Sequence, residues 1–167
     1  MGSSPTSETD LLGLRDAVHG DGARPGLATI LPLLQTQHRR ELRKVEHWSK
    51  EELVRHPEPR ELIRAMRKAG NLDANGLPVY TLDERRVLTA DIYENRVVRQ
   101  VIGEVRGALA ALSDDDPEAA TLLLDLDGAV AQAPFLLDVG MPERGIRHAS
   151  ATLTGDPLYR AVIALRL

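Results

Sequence analysis

Residues 91–112, DIYENRVVRQVIGEVRGALAAL, are the most clearly periodic stretch of the chain. Val97, Val98, Val101, Ile102, Val105, Ala108, Leu109 and Leu112 recur at i, i+1, i+4 and i+5. At the helical step they fall within an arc of about 140°, which predicts one helix with a broad buried face. Arg96, Arg99 and Arg106 line up with Gly103 on the far side as a cationic stripe. Asp91, with Glu94 three residues on, has the spacing of a capping box, in which side chains satisfy the first orphan N–H groups.

Outward from this stretch the pattern stays helical. Upstream, residues 11–18 predict a short helix, followed by a flexible break at Gly20, Gly22, Pro25 and Gly26. A longer helix is expected over 27–46, with Leu27, Ile30, Leu31, Leu34, Leu42 and Val45 as candidate core positions. Pro32 either kinks it or marks its first turn. Ser49 with Glu52 reads as another capping box, opening a short turn that Pro57 closes. Residues 59–69 predict a compact helix ended by a left-handed Gly70, burying Leu62, Ile63 and Met66. After the turn-rich NLDANGLP, residues 79–89 (VYTLDERRVLT) suit a small hairpin or extended chain. Downstream, SDDDP supplies caps for a helix carrying Leu122, Leu123, Leu126, Ala129 and Val130. Asp156 and Pro157 open a last helix through Leu158, Ala161, Val162 and Leu165. Its apolar pattern is still running at Leu167, so either it docks in a groove or the natural polypeptide continues.

The expected fold is therefore mainly α, five or six packed helices with at most a small β-hairpin. Residues 1–26 are expected to be disordered or loosely packed, ahead of a single helical domain over 27–167. The length of 167 residues suits one domain, long enough to bury about two-thirds of its unfolded surface. One Trp, one Phe and three Tyr leave the core to Leu, Val, Ile and Ala, which suits helix packing. With no cysteine, disulfides and thiolate metal sites are excluded, and a reducing cytoplasm is the expected location. No apolar run approaches the roughly 20 residues that span a bilayer, and MGSSPTSETD lacks the parts of a secretion signal. No membrane association is expected.

The formal charge of −4 hides an asymmetry. From His38 to Lys68 there are 10 Lys or Arg against 6 Asp or Glu, leaving 11 against 19 elsewhere. A basic segment in an acidic protein is either a nucleic-acid or partner surface, or a set of solvated helices rich in Arg–Glu pairs. The candidate phosphate contacts are Arg39, Arg40, Arg43, Lys44, Arg60, Arg64 and Arg67.

Catalytic constellations are not found. LLLDLDGAV at 122–130 resembles the first motif of haloacid dehalogenase-like phosphatases, with Asp125 and Asp127 as the would-be nucleophile and acid. Only 40 residues follow Asp127 and no lysine follows Lys68, so the rest of that chemistry has no carriers, and both aspartates read as exposed helix residues. The histidines at 19, 38, 47, 56 and 148 lack metal-ligand spacing. No metal or cofactor is expected.

Two blocks carry a family resemblance. YENR at 93–96, followed by the apolar helix, resembles a signature of McrC-like proteins, relatives of the non-GTPase subunit of modification-dependent restriction systems and of domains linked to PD-(D/E)XK nucleases. FLLDVG and LTGDPLYR, within 135–160, resemble that family's second stretch, in the correct order. The match covers about residues 42–167 and departs at Ile92, where the family usually carries Pro or Thr. The resemblance implies a restriction or phage-defence setting and a nuclease or GTPase/ATPase partner. It also implies a nuclease core that would need a D/E-x-K pair on Mg²⁺. The residues two before Lys44, Lys50 and Lys68 are Leu42, Trp48 and Met66, so this chain has no such pair and no enzymatic role is expected of it. The motif residues Tyr93, Glu94, Asn95, Arg96, Asp156, Tyr159 and Arg160 either contact nucleic acid or a catalytic neighbour, or fix the helix entry by bonding backbone carbonyls. The alternative function is a helical protein-interaction domain with no nucleic-acid role.

Overall fold

The computed structural model describes residues 5–50, 54, 58–142 and 150–165. In chain order these form α1 (Pro5–His19), α2 (Leu27–Gln37), β1 (Glu41–Lys50), α3 (Pro59–Arg67), β2 (Tyr80–Thr89), α4 (Tyr93–Leu112), α5 (Pro117–Ala131), a 3-10 turn (Pro134–Asp138), α6 (Ala151–Gly155) and α7 (Pro157–Ala164). They divide into two compact units. Unit 1 joins residues 1–40 to 90–167, and unit 2 is the intervening Glu41–Thr89.

Unit 1 is helical, and α4 runs through its core. Val97, Val98, Val101, Val105 and Leu109 are fully buried and Ile102 nearly so, while Ala108 and Leu112 pack at the edge. This is the face that the arc of apolar residues defines. α4 packs on α5, α7 and α1, and α2 packs on the same three helices. Each fully buried Leu, Ile or Val adds about 1.5–3 kcal/mol of hydrophobic stabilisation, so this one helix face contributes much of the unit's cohesion. α5 starts at Pro117, with the Asp116 carboxylate accepting from the Glu118 N–H at 2.8 Å. α7 starts at Pro157, with Asp156 accepting from Leu158 at 3.0 Å. α1 arises from the segment expected to be loose, and Leu14, Ala17 and Val18 on it are buried. Pro32 lies inside α2 rather than at its first turn.

Unit 2 corrects the expected fold class. The chain is α+β, because residues 41–50 are a strand and not the second half of a long helix. β1 pairs antiparallel with β2 over ten rungs, from Glu41 opposite Thr89 to Lys50 opposite Tyr80. Residues 79–89 therefore do not fold back on themselves as a local hairpin. Leu42 and Val45, expected in the core, are 62% and 45% exposed. Their i, i+3 spacing imitates a helix face, but alternation along the strand sends them to opposite faces of the ribbon. Ser49 sits near the end of β1, buried, and does not cap a helix. Its expected partner Glu52 lies outside the described residues.

α3 is also turned from its expected orientation. Glu61 and Ala65 are its buried residues, whereas Ile63 and Met66 are 51% and 52% exposed. The small Ala65 allows the helix to lie close to its neighbours, and Glu61 is matched by Arg64 at 3.3 Å. Asn71 then locks the helix to the sheet. Its side-chain amide donates to the carbonyls of Ala65 (2.9 Å) and Tyr80 (2.7 Å) and accepts the Tyr80 N–H (3.0 Å). Gly70, at φ +73°, takes the left-handed conformation that ends α3's exit turn.

Candidate nucleic-acid interface

The basic residues singled out by sequence separate into two groups. Arg39 and Arg40 belong to unit 1, where Arg39 faces Asp156 at 3.7 Å and Arg40 Nε donates to His38 at 2.8 Å. Arg43, Lys44, Arg60, Arg64 and Arg67 belong to unit 2.

The strand register adds two residues the sequence reading did not select. Lys44 lies directly opposite Arg86, and Val45 opposite Arg85, with Arg43 one rung further on opposite Val87. Four cations thus occupy three adjoining rungs of a two-stranded ribbon. Lys44 and Arg86 share one face, while Arg43 and Arg85 share the other. The signal was present in the sequence as an Arg85-Arg86 doublet within a β-prone run. Its meaning depended on a partner strand more than 30 residues away.

Local carboxylates neutralise part of this charge. Arg43 approaches Glu41 at 3.6 Å, Arg85 holds Asp83 at 2.9 Å, and Arg64 lies 3.3 Å from Glu61 and 3.8 Å from Glu46. Arg60, Arg67 and Arg86 are exposed and have no ion-pair partner among the described residues. The Lys68 ammonium lies over the Trp48 ring, 3.9 Å from its centroid. Arg60, Arg64 and Arg67 share one face of α3, as their i, i+4, i+7 spacing requires.

The residues of the YENR and DPLYR blocks lie in unit 1, where two of them, Asn95 and Tyr159, bond each other. Asn95 is fully buried, and its amide donates to the carbonyls of Arg39 (3.0 Å) and Ala90 (2.7 Å). Arg40 and Ala90 are the residues at which the chain leaves unit 1 and re-enters it. The Tyr159 hydroxyl donates to Asn95 Oδ1 at 2.6 Å and accepts the Arg39 N–H at 3.0 Å. One asparagine and one tyrosine therefore pin the two ends of the break in unit 1. Burial pushes the Tyr159 phenol above its ordinary range, with nearby Asp156 and Glu94 adding to the rise.

Other residues of the two blocks make separate bonds within unit 1. Arg96 grips Asp91 through two bonds of 2.7 Å, and Asp91 Oδ1 also accepts the Gly140 N–H at 2.9 Å. Glu94 accepts from the Ser150 hydroxyl at 2.7 Å. The expected capping box at Asp91 and Glu94 does not form, because both carboxylates are turned to these more distant partners and the N-cap is Ile92. Tyr93 packs at the core's edge, while Arg160 is exposed and outside the network.

The phosphatase-like stretch at 122–130 is part of helix α5 and forms no strand. Asp125 approaches His19 at 3.2 Å. The Asp127 carboxyl is held below its usual range by its hydrogen bond to Arg106. His38 stacks on Phe135 with ring centroids 4.2 Å apart, and His47 bonds Ser49 at 2.7 Å. His56 and His148 lie outside the described residues. Among the described residues no cluster of His, Asp and Glu has a metal-holding arrangement, and no helix is long and apolar enough to cross a membrane. No protein-family model matches the chain, and neither a curated protein nor a solved structure matches it.

Proposed function

We propose that this chain is a non-catalytic, McrC-like module of a DNA restriction or phage-defence system, and that unit 2 binds the DNA backbone. The family part of the reading is supported by YENR and the DPLYR block, which stand in the family's order. The DNA part is carried by one observation, the cation-bearing ribbon. Lys44 directly opposite Arg86, with Arg43 and Arg85 on the adjoining rungs, concentrates positive charge along the ribbon. Phosphates at their regular spacing along a duplex are anions that such a surface attracts. Arg60 and Arg67 on α3 extend the cationic surface of the same unit.

This binding is of the kind that positions a protein on DNA without reading sequence. The test is fluorescence anisotropy of a labelled duplex titrated with the protein at rising salt. The expected result is retention at low salt and a steep linear fall of log K with log salt, because each phosphate contact releases counterions. Failure to retain duplex even at low salt removes the DNA assignment. In that case the alternative, a protein-interaction domain with no nucleic-acid role, gains from the ribbon's exposed Leu42, Val45, Val87 and Leu88.

A further inference from the structure

The cationic stripe of α4 borders a groove that the DNA reading leaves unused. It lies within unit 1, between α4, α5 and the 3-10 turn, and encloses about 410 Å³. That volume falls in the range of about 300–1,000 Å³ typical of ligand pockets. Ile102, Val130 and Leu136 line it with apolar surface, and Leu137 and Met141 stand at its mouth, 81% and 54% exposed. Gly103 leaves the α4 side open. A Cβ added there would meet only Met141 Cε, at 3.9 Å.

The two arginines of the groove differ in kind. Arg106 is already satisfied, held by both oxygens of Asp127 at 2.8 and 3.2 Å. Arg99 is half-buried, and its one hydrogen bond is a long contact of 3.4 Å to the Leu136 carbonyl. It has no carboxylate partner among the described residues. A guanidinium offers five donors in a planar fork, so Arg99 keeps a bidentate site for a carboxylate beside an apolar wall. The geometry points to this groove as the docking site for a short acidic–apolar segment of a partner protein, with one carboxylate on Arg99 and large apolar side chains in the cavity.

Charge complementarity selects the acid, and the mouth selects a polypeptide. A solute confined to the cavity would leave Leu137 and Met141 in water, whereas a chain lying across the groove covers both. A methionine at the rim adapts its shape to different side chains, as peptide-binding surfaces use it. This inference involves none of the ribbon or α3 arginines, so it stands or falls separately from DNA binding.

The test pans a library of short random peptides against the full chain and against Gly103→Leu, then measures the enriched peptides on wild type, Gly103→Leu and Arg99→Gln. Gly103→Leu fills the groove while replacing a poor helix former with a good one, so the fold is retained and a thermal melt verifies it. The expected result is enrichment, on wild type only, of sequences that join Asp or Glu to two or more large apolar residues. Their binding should vanish in Gly103→Leu and weaken about tenfold in Arg99→Gln. Equal enrichment on both proteins overturns the inference, as does equal binding to Arg99→Gln. Binding of decanoate in place of any peptide, or self-association abolished by Gly103→Leu, overturns it in favour of a small amphiphile or a second copy.

Discussion

Replacing Tyr159 with Phe removes a single oxygen atom from the middle of the unit 1 network and leaves the volume of the core almost unchanged. The loss is therefore one of hydrogen bonding and not of packing. The hydroxyl makes two bonds, one to Asn95 Oδ1 at 2.6 Å and one from the Arg39 N–H at 3.0 Å. Each is worth about 1 kcal/mol net, and the buried Asn95 oxygen left without a donor adds a desolvation penalty of about 1–2 kcal/mol. The expected destabilisation is about 3–4 kcal/mol, which lowers Tm by about 12–16 °C for a unit of this size. Urea unfolding followed by far-UV circular dichroism measures it.

A pH arm sharpens this test. Burial raises the phenol's pKa in the folded protein above its ordinary value of 10.0. As pH rises through that value the unfolded chain releases the proton first, while the folded chain still holds it. Stability from this group is complete below pH 10.0 and is lost above it. The alkaline loss should be smaller in Tyr159→Phe. A destabilisation under about 0.5 kcal/mol, the size of an ordinary surface change, would refute the pinning role.

Two further substitutions probe the local determinants. Asn71→Ala removes the three hydrogen bonds that tie the Asn71 side chain to α3 and β2, at an expected cost of about 3 kcal/mol confined to unit 2. Amide exchange should accelerate at Tyr80, and an unchanged rate there would contradict the lock. Gly20→Ala and Gly22→Ala both force alanine to positive φ, at +91° and +82°, but only at Gly20 would the Cβ strike the Arg24 carbonyl oxygen. Thermal unfolding should show about 1 kcal/mol lost at Gly22 and distinctly more at Gly20, and equal losses would be inconsistent with the tight turn.

Several local patterns are legible in the residues, the Asp91–Glu94 capping box being the exception. The α4 arc, the Asp116 and Asp156 caps and Gly70 are local patterns, and each is found where the spacing placed it. Partnership between distant segments was not legible. β1 imitates a helix in sequence because Leu42 and Val45 match a helical step, while its pairing partner begins only at Tyr80. The inward face of α3 is not legible from its large apolar residues Ile63 and Met66, because Ala65 and a paired Glu61 face inward instead. Asn71 looked like a turn residue inside NLDANGLP, although its three bonds organise unit 2.

The candidate site follows the same rule. Arg60, Arg64 and Arg67 could be grouped by helical spacing alone, whereas Arg85 and Arg86 joined Arg43 and Lys44 only through strand register. Asn95 and Tyr159 stood in separate motif blocks, and 64 positions of chain hid their hydrogen bond.

The most direct test of the DNA-binding proposal is the salt slope of duplex binding, compared between the wild type and the combined Arg60→Ala, Arg67→Ala, Arg86→Ala variant. Each phosphate contact contributes about 0.9 to the slope of log K against log salt, so the variant should lose about 2–3 units of slope while keeping its fold. A wild type that ignores duplex DNA at low salt, or a variant with an unaltered slope, would contradict unit 2 as a backbone-binding surface.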